Sequence, residues 1–176
     1  MKVLVVVDMQ NDFIDGALGT KEAEEIVPGV VEMIRKFDGK VIATRDTHRE
    51  DYLDSEEGRH LPVPHCLKGT EGWEIRSEVM EALREKPGYM SIDKPAFGSV
   101  ELGECVKKLD ETEGPVEEIT LIGLCTDICV ISNALLLKAY LPEVPVRVEA
   151  SCCAGVTPQS HCQALEAMKM CQVEIA

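Results

Sequence analysis

Positive charge is scarce in this sequence. Eighteen Lys and Arg face 32 Asp and Glu, leaving a formal net charge of -14 and an isoelectric point near 4.7. Nucleic acid and anionic membrane are repelled by such a chain over any distance that salt does not screen, so neither is expected as a partner. Long hydrophobic runs are missing too. The run Val3 to Val7 ends after five residues at Asp8, far short of the ~20 needed to span a membrane. It is also too short for a signal-peptide core and has no small-residue cleavage site behind it. A cytoplasmic protein is expected, and with it reduced thiols: the eight cysteines read as small buried hydrophobes rather than a disulfide framework, which belongs to short secreted chains. A glycine-rich phosphate loop is lacking as well, since Asp8-Met9-Gln10-Asn11-Asp12-Phe13 stands where one would follow the first strand, and no Walker-type lysine motif appears. Repeats, low-complexity tracts and interdomain linkers are absent. What remains is one domain, residues 1–176, acting on a small molecule, with a homo-oligomer left open.

What is present is a rhythm of strand and helix. Val3 to Val7 is a continuous β-branched run, as a strand covered on both faces requires. Similar runs occupy 40–44, 118–123, 146–150 and 172–175, with a weaker one at 88–92. Helical patterns lie between them at 23–37, 99–111, 128–140 and 158–170. This alternation predicts a doubly wound, Rossmann-like three-layer α/β fold around a mostly parallel six-stranded sheet, with its site at the carboxyl ends of the strands. Residues 45–72 break the rhythm. They are long, irregular and rich in Pro, His, Glu and Gly, as functional loops often are.

Three residues fall at predicted strand ends. Asp8 follows the first strand, where it is either a turn cap or a carboxylate offered to the crevice. Lys94, in Ser91-Ile92-Asp93-Lys94-Pro95, ends the weaker strand and is extended by the proline behind it. Leu121-Ile122-Gly123-Leu124-Cys125-Thr126-Asp127-Ile128-Cys129-Val130 runs from strand through turn into helix. Cys129 lies near that helix start, where free N–H groups and the helix dipole favour a thiolate and a nearby Lys94 would lower its pKa further. Cys125 competes for the role of nucleophile, and the residues alone do not separate the two.

Three of the four histidines lie in the irregular segment, at His48, His60 and His65. Asp46 and His48 are two apart, so in an extended segment they point to one side, as two ligands of one ion must. With His65, braced by prolines, they make a set of two imidazoles and one carboxylate suited to zinc and also usable by iron or manganese. His60 and Cys66 are further candidate ligands.

VVVDMQNDF, SIDKPAFGS and GLCTDICV together resemble the three motif blocks of the isochorismatase-like cysteine hydrolases, and the resemblance spans nearly the whole chain. It implies a catalytic triad of Asp8, Lys94 and Cys129, with Cys129 rather than Cys125 as nucleophile. It implies an oxyanion hole from the backbone N–H groups of Cys125 and Cys129, with a cis peptide at Leu124-Cys125. The Asp-x-His and the later His before Gly69-Thr70 are most similar to nicotinamidases, some of which add a Glu, matched here by Glu57. The implied activity is a metal-assisted amidohydrolase of NAD salvage, releasing ammonia from nicotinamide and pyrazinamide through a Cys thioester, with the ion holding the pyridine nitrogen. Phe13 and Trp73 are the implied ring neighbours. The segment Lys94-Pro95-Ala96-Phe97-Gly98 is shorter than in many relatives, which touches substrate choice. The alternatives are a relative that acts on a carbamoyl amide or vinyl ether, and a noncatalytic metal-binding member of the fold.

Overall fold

A computed structural model describes residues 1–176. Six strands form one sheet: β1 (Lys2–Val7), β2 (Lys40–Asp46), β3 (Met90–Lys94), β4 (Glu118–Leu124), β5 (Val146–Ala154) and β6 (Val173–Ile175). Their order is β3-β2-β1-β4-β5-β6, and every pairing is parallel. The chain therefore winds outward from β1 in one direction through β2 and β3, then returns and winds the other way through β4 to β6. That reversal between β1 and β4 opens a crevice at the carboxyl ends of the strands, where ligands of such folds bind.

Seven helices cover the sheet: α1 (Asn11–Ile14), α2 (Lys21–Lys36), α3 (Glu56–His60), α4 (Ser77–Arg84), α5 (Val100–Thr112), α6 (Ile131–Tyr140) and α7 (Pro158–Met170). None is long and apolar enough to cross a membrane. The unbroken Val run of β1 has a simple cause. Leu4 and Val6 enter a core with residues of α1, α2 and α4, whereas Val3, Val5 and Val7 enter a second core with residues of α5, α6 and α7. Side chains alternate across a strand, so a strand with a core on each face needs an apolar residue at every position.

Four helix starts, those of α2, α3, α5 and α7, are capped as their sequences dictate. Thr20 accepts from the N–H of Ala23 at 3.1 Å, Ser99 from that of Leu102 at 3.0 Å, and Thr157 forms a capping box with Ser160 ahead of α7. Each cap satisfies an N–H that the helix cannot bond internally. Gly123 is needed for packing: its φ is +114°, and a Cβ there would lie 2.1 Å from the Val7 carbonyl oxygen. Only glycine lets β4 approach β1 so closely just before the Cys125 turn.

Three expectations are adjusted. The sequence pattern missed α4, whose buried Val79, Ala82 and Leu83 keep helical spacing over only two turns. Strand β5 runs four residues beyond 150, through Ser151, Cys152 and Cys153 to Ala154. The helix expected from 128 begins instead as a wider π-type turn over Thr126–Val130 and becomes α-helical only at Ile131, so Cys129 sits in that turn.

Candidate active site

Asp8, at the end of β1, has a left-handed backbone with φ of +46°, a conformation that short polar side chains tolerate better than branched ones and that clusters at functional sites. Its carboxylate is fully buried. Oδ1 accepts from the Thr44 hydroxyl at 2.7 Å, and Oδ2 lies 2.7 Å from Lys94 Nζ.

Lys94 ends β3, two strands away from β1, a separation of roughly 10 Å that only a long side chain can bridge. Register pairs Asp46 with Lys94 and Arg45 with Asp93. The Arg45–Asp93 ion pair at 2.7 Å holds the outer side of this ladder, while Lys94 Nζ lies 3.2 Å from Asp46 Oδ1 on the inner side. Lys94 Nζ also reaches the Ala96 carbonyl at 3.1 Å and Cys129 Sγ at 3.3 Å. One fully buried ammonium thus bridges two carboxylates and the thiol. Burial alone would lower its pKa, but the charges of Asp8, Cys129 and Asp46 raise it, so Lys94 stays protonated.

The thiol corrects the sequence expectation. Burial pushes the Cys129 pKa well above the ordinary cysteine value, and the Asp8 carboxylate adds to the rise against the opposing pull of Lys94. Cys129 is only 4% exposed, so desolvation outweighs the pull of the ammonium and favours the neutral thiol over the thiolate. Burial likewise raises Asp8, partly offset by Lys94. Its surroundings desolvate the half-buried Cys125 thiol as well, which is pushed up to about 12. The Leu124-Cys125 peptide bond is cis.

Beside this group stands a second one. Asp46, His48, Glu57 and His65 bring one ligand atom each within 4.8 Å of one another. His48 Nε2 is 2.9 Å from Asp46 Oδ2 and 3.6 Å from Glu57 Oε1, and His65 Nε2 is 3.6 Å and 3.5 Å from the same two oxygens. The fold explains the convergence. The N–H of His48 donates to the Cys66 carbonyl and the N–H of Lys68 to the His48 carbonyl, so residues 65–68 run alongside the extension of β2. The first turn of α3 carries Glu57, with Ser55 as the helix cap. His65 Nδ1 is engaged with the Val63 carbonyl at 2.8 Å, which orients Nε2 toward the cluster in the way that outer partners orient metal-binding imidazoles. Burial would raise the Asp46 carboxyl, but His48, His65 and Lys94 hold it well below the usual carboxylate range. Two imidazole nitrogens and two carboxylate oxygens, mostly buried and converging, fit a divalent ion of the zinc, iron or manganese type.

A cavity of about 700 Å3 joins the two groups, with Cys129, Cys125, Phe13 and the four clustered residues in its walls. The sequence matches the isochorismatase domain family over residues 2–176. The chain belongs to that family. Among its relatives, the isochorismatase family protein PncA of Bacillus subtilis is 30% identical, over 93% of this chain and 92% of its own. The nicotinamidase/pyrazinamidase of Mycobacterium tuberculosis is 26% identical, over 99% and 98%. The crystal structure of the pyrazinamidase of Pyrococcus horikoshii in complex with zinc superimposes with a TM-score of 0.82 at 30% identity, covering 99% of this chain and 98% of that one.

Within this isochorismatase-family site, not every expected residue converges. Phe13 does, its ring 5.5 Å from that of His65. Trp73 does not line the cavity. Its Nε1 donates to Thr47 Oγ1 at 2.9 Å, and the Arg45 guanidinium stacks 3.8 Å over its ring. Arg45 and Thr47 alternate with Asp46 and His48 along the strand, so a ring bound to the first pair lies on the far side from the second. His60 lines the cavity but bonds the Glu56 carbonyl and stands outside the ligand cluster, and Cys66 is buried away from it.

Three supporting residues carry little sequence signal. Gln10 accepts from the N–H of Asp46 at 2.7 Å and donates to the carbonyls of Asp46 and Trp73, fixing the β2 end. Asn133, fully buried, donates to the Cys129 and Phe97 carbonyls and accepts from the N–H of Ser99. His161 Nδ1 lies 2.8 Å from the buried Thr126 hydroxyl, inside the Cys129 turn. The Thr-x-x-x-His spacing of Thr157 to His161 hints at none of this, because the partner, Thr126, is distant in sequence.

Proposed function

We propose that this protein is a metal-assisted cysteine amidohydrolase of the nicotinamidase type, acting on nicotinamide and pyrazinamide. The observation that carries the reading is the Asp8-Lys94-Cys129 group, with Lys94 Nζ within 3.3 Å of the Cys129 sulfur and 2.7 Å of the Asp8 carboxylate, opening on the same cavity as the four-residue ligand cluster. The relatives are named nicotinamidases and pyrazinamidases, and one of them is bound to zinc.

Asp8 takes the thiol proton, a task for which burial makes its carboxylate more basic than usual. Lys94 holds the resulting thiolate by charge. Cys129 attacks the amide carbonyl, and the oxyanion is received by the N–H groups of Cys125 and Cys129 at the turn. Collapse of this tetrahedral species returns the proton from Asp8 to the leaving nitrogen and expels ammonia. Water then hydrolyses the Cys129 thioester. Asp46, His48, Glu57 and His65 would hold the divalent ion, which supplies a Lewis-acid anchor for the ring nitrogen. Phe13 packs beside the ring.

Ammonia release over a panel of amides tests the reading. Turnover of nicotinamide and pyrazinamide is the expected result, with a Cys129 adduct trapped by mass spectrometry on acid quench. Hydrolysis confined to carbamoyl amides, or none, would overturn it.

A further inference from the structure

Seven large apolar side chains are markedly exposed in this molecule, and three of them, Leu61, Phe97 and Val156, stand in the wall of the one cavity that holds Cys129. Their exposures are 37%, 43% and 51%. Clustered exposed apolar surface at a concave site is a feature of ligand recognition, whereas scattered exposed leucines are not.

Each of the three is tied through its backbone to a side chain of the site. The Leu61 carbonyl accepts from the Tyr52 hydroxyl at 2.8 Å, and the Tyr52 ring packs edge-on against His48 and His65 with centroids 4.7 and 5.0 Å apart. The Phe97 carbonyl accepts from Asn133 Nδ2 at 3.1 Å, and the same nitrogen donates to the Cys129 carbonyl at 2.8 Å. The N–H of Val156 donates to the Asp127 carboxylate at 3.1 Å, and Asp127 belongs to the Cys129 turn. The rim is therefore fixed relative to both the nucleophile and the ligand cluster, and a ligand would lose little free energy in ordering it.

A single-ring amide is far smaller than the cavity that this rim surrounds. A cavity of about 700 Å3 lies within the ~300–1,000 Å3 range that encloses drug-sized ligands. Leu18 and Ile128 add to its apolar lining.

Resting on the amidohydrolase reading, we infer that the site prefers aryl carboxamides carrying an apolar substituent on the ring, seated against Leu61, Phe97 and Val156. The ring nitrogen and carboxamide keep the positions proposed above, and the substituent fills the mouth.

The test compares kcat/KM of the metal-loaded protein for nicotinamide and for nicotinamide bearing a propyl group on the ring, meta to the carboxamide. The propyl compound is expected to be favoured roughly tenfold, the scale on which a hydrophobic pocket separates substrates by buried methylenes. Phe97→Ala and Val156→Ser are each expected to reduce that ratio several-fold. Hydrolysis of nicotinamide with the propyl compound slower would overturn this inference and leave the amidohydrolase reading standing. Hydrolysis of neither would overturn both. A ratio unchanged in both rim variants would overturn the assignment to these residues.

Discussion

Lys94 Nζ and Asp8 Oδ2 lie 2.7 Å apart with neither side chain exposed to solvent. The pair adjoins the Cys129 sulfur, and the ammonium is further compensated by Asp46 at 3.2 Å, which at the same time repels Asp8. Pairs of this kind add little net stability, because desolvation offsets the attraction, yet removing one partner leaves a costly buried charge.

Asp8→Asn is therefore expected to lower both activity and stability. Loss of the base should reduce turnover on the order of 100-fold or more. The ammonium, left with Asp46 as its remaining carboxylate partner, should cost up to about 3 kcal/mol. The double variant Asp8→Asn with Lys94→Met removes both charges, so its urea midpoint should recover much of the loss while turnover does not. Turnover that recovered along with the midpoint would show that Asp8 is structural rather than the base.

Cys129→Ala is expected to fall to background activity, and Cys125→Ala to keep part of it. Alkylation should follow access rather than nucleophilic role. Cys162 and Cys171 are exposed whereas Cys129 is buried with a raised pKa, so iodoacetamide should label those two first without inactivation. Activity should then decline in step with the slower labelling of Cys129, followed by peptide mass spectrometry. Full activity in Cys129→Ala rejects the cysteine mechanism.

Chelation separates anchoring from other metal roles. If Asp46, His48, Glu57 and His65 hold an ion that binds the ring nitrogen, removing it should cripple turnover of nicotinamide and pyrazinamide and change that of benzamide little. Benzamide, which has the carboxamide without the nitrogen, should be poor throughout. His48→Ala should reproduce the effect of chelation and weaken zinc binding measured by competition with a chromophoric chelator. Equal loss on all three amides rejects the anchoring role.

His161 should leave its mark on acid stability. Burial lowers its pKa below the ordinary 6.5, so the folded protein binds this proton less readily than the unfolded chain does. The contribution is complete above about pH 6.5 and is lost as the pH falls through the folded value. His161→Gln keeps an amide partner for the Thr126 hydroxyl and removes the titration, so its urea midpoint should decline less between pH 7 and pH 5 than that of the parent. His161→Ala leaves the Thr126 hydroxyl unpartnered and should cost about 1–3 kcal/mol at neutral pH. A parallel decline in parent and His161→Gln would assign the acid sensitivity elsewhere.

Much of the fold was legible because its signals are local. Val3 to Val7 announces a strand between two cores by being apolar at every position, and the positions of Asp8, Lys94 and Cys129 at or just beyond strand ends follow from counting along the chain. Asp46 and His48 share a side because strand alternation requires it. Helix α4 was not legible: its apolar positions fill only two turns, and it acquires a core face only through packing against α2.

By itself, the sequence determined the order of strands and helices, the residues carried to the strand ends, and the spacing of the potential metal ligands, since backbone periodicity and apolar patterning depend on near neighbours alone. Tertiary structure decided the rest. It buried Cys129 and reversed the direction of its pKa, placed Trp73 under Arg45 instead of in the cavity, set His161 against Thr126, and gathered Leu61, Phe97 and Val156 at one mouth. Each of these depends on distances between segments far apart in the chain, and those distances exist only once strand register and the packing of both faces are set. Desolvation and Coulomb interactions scale with those distances, so no local pattern could have encoded them.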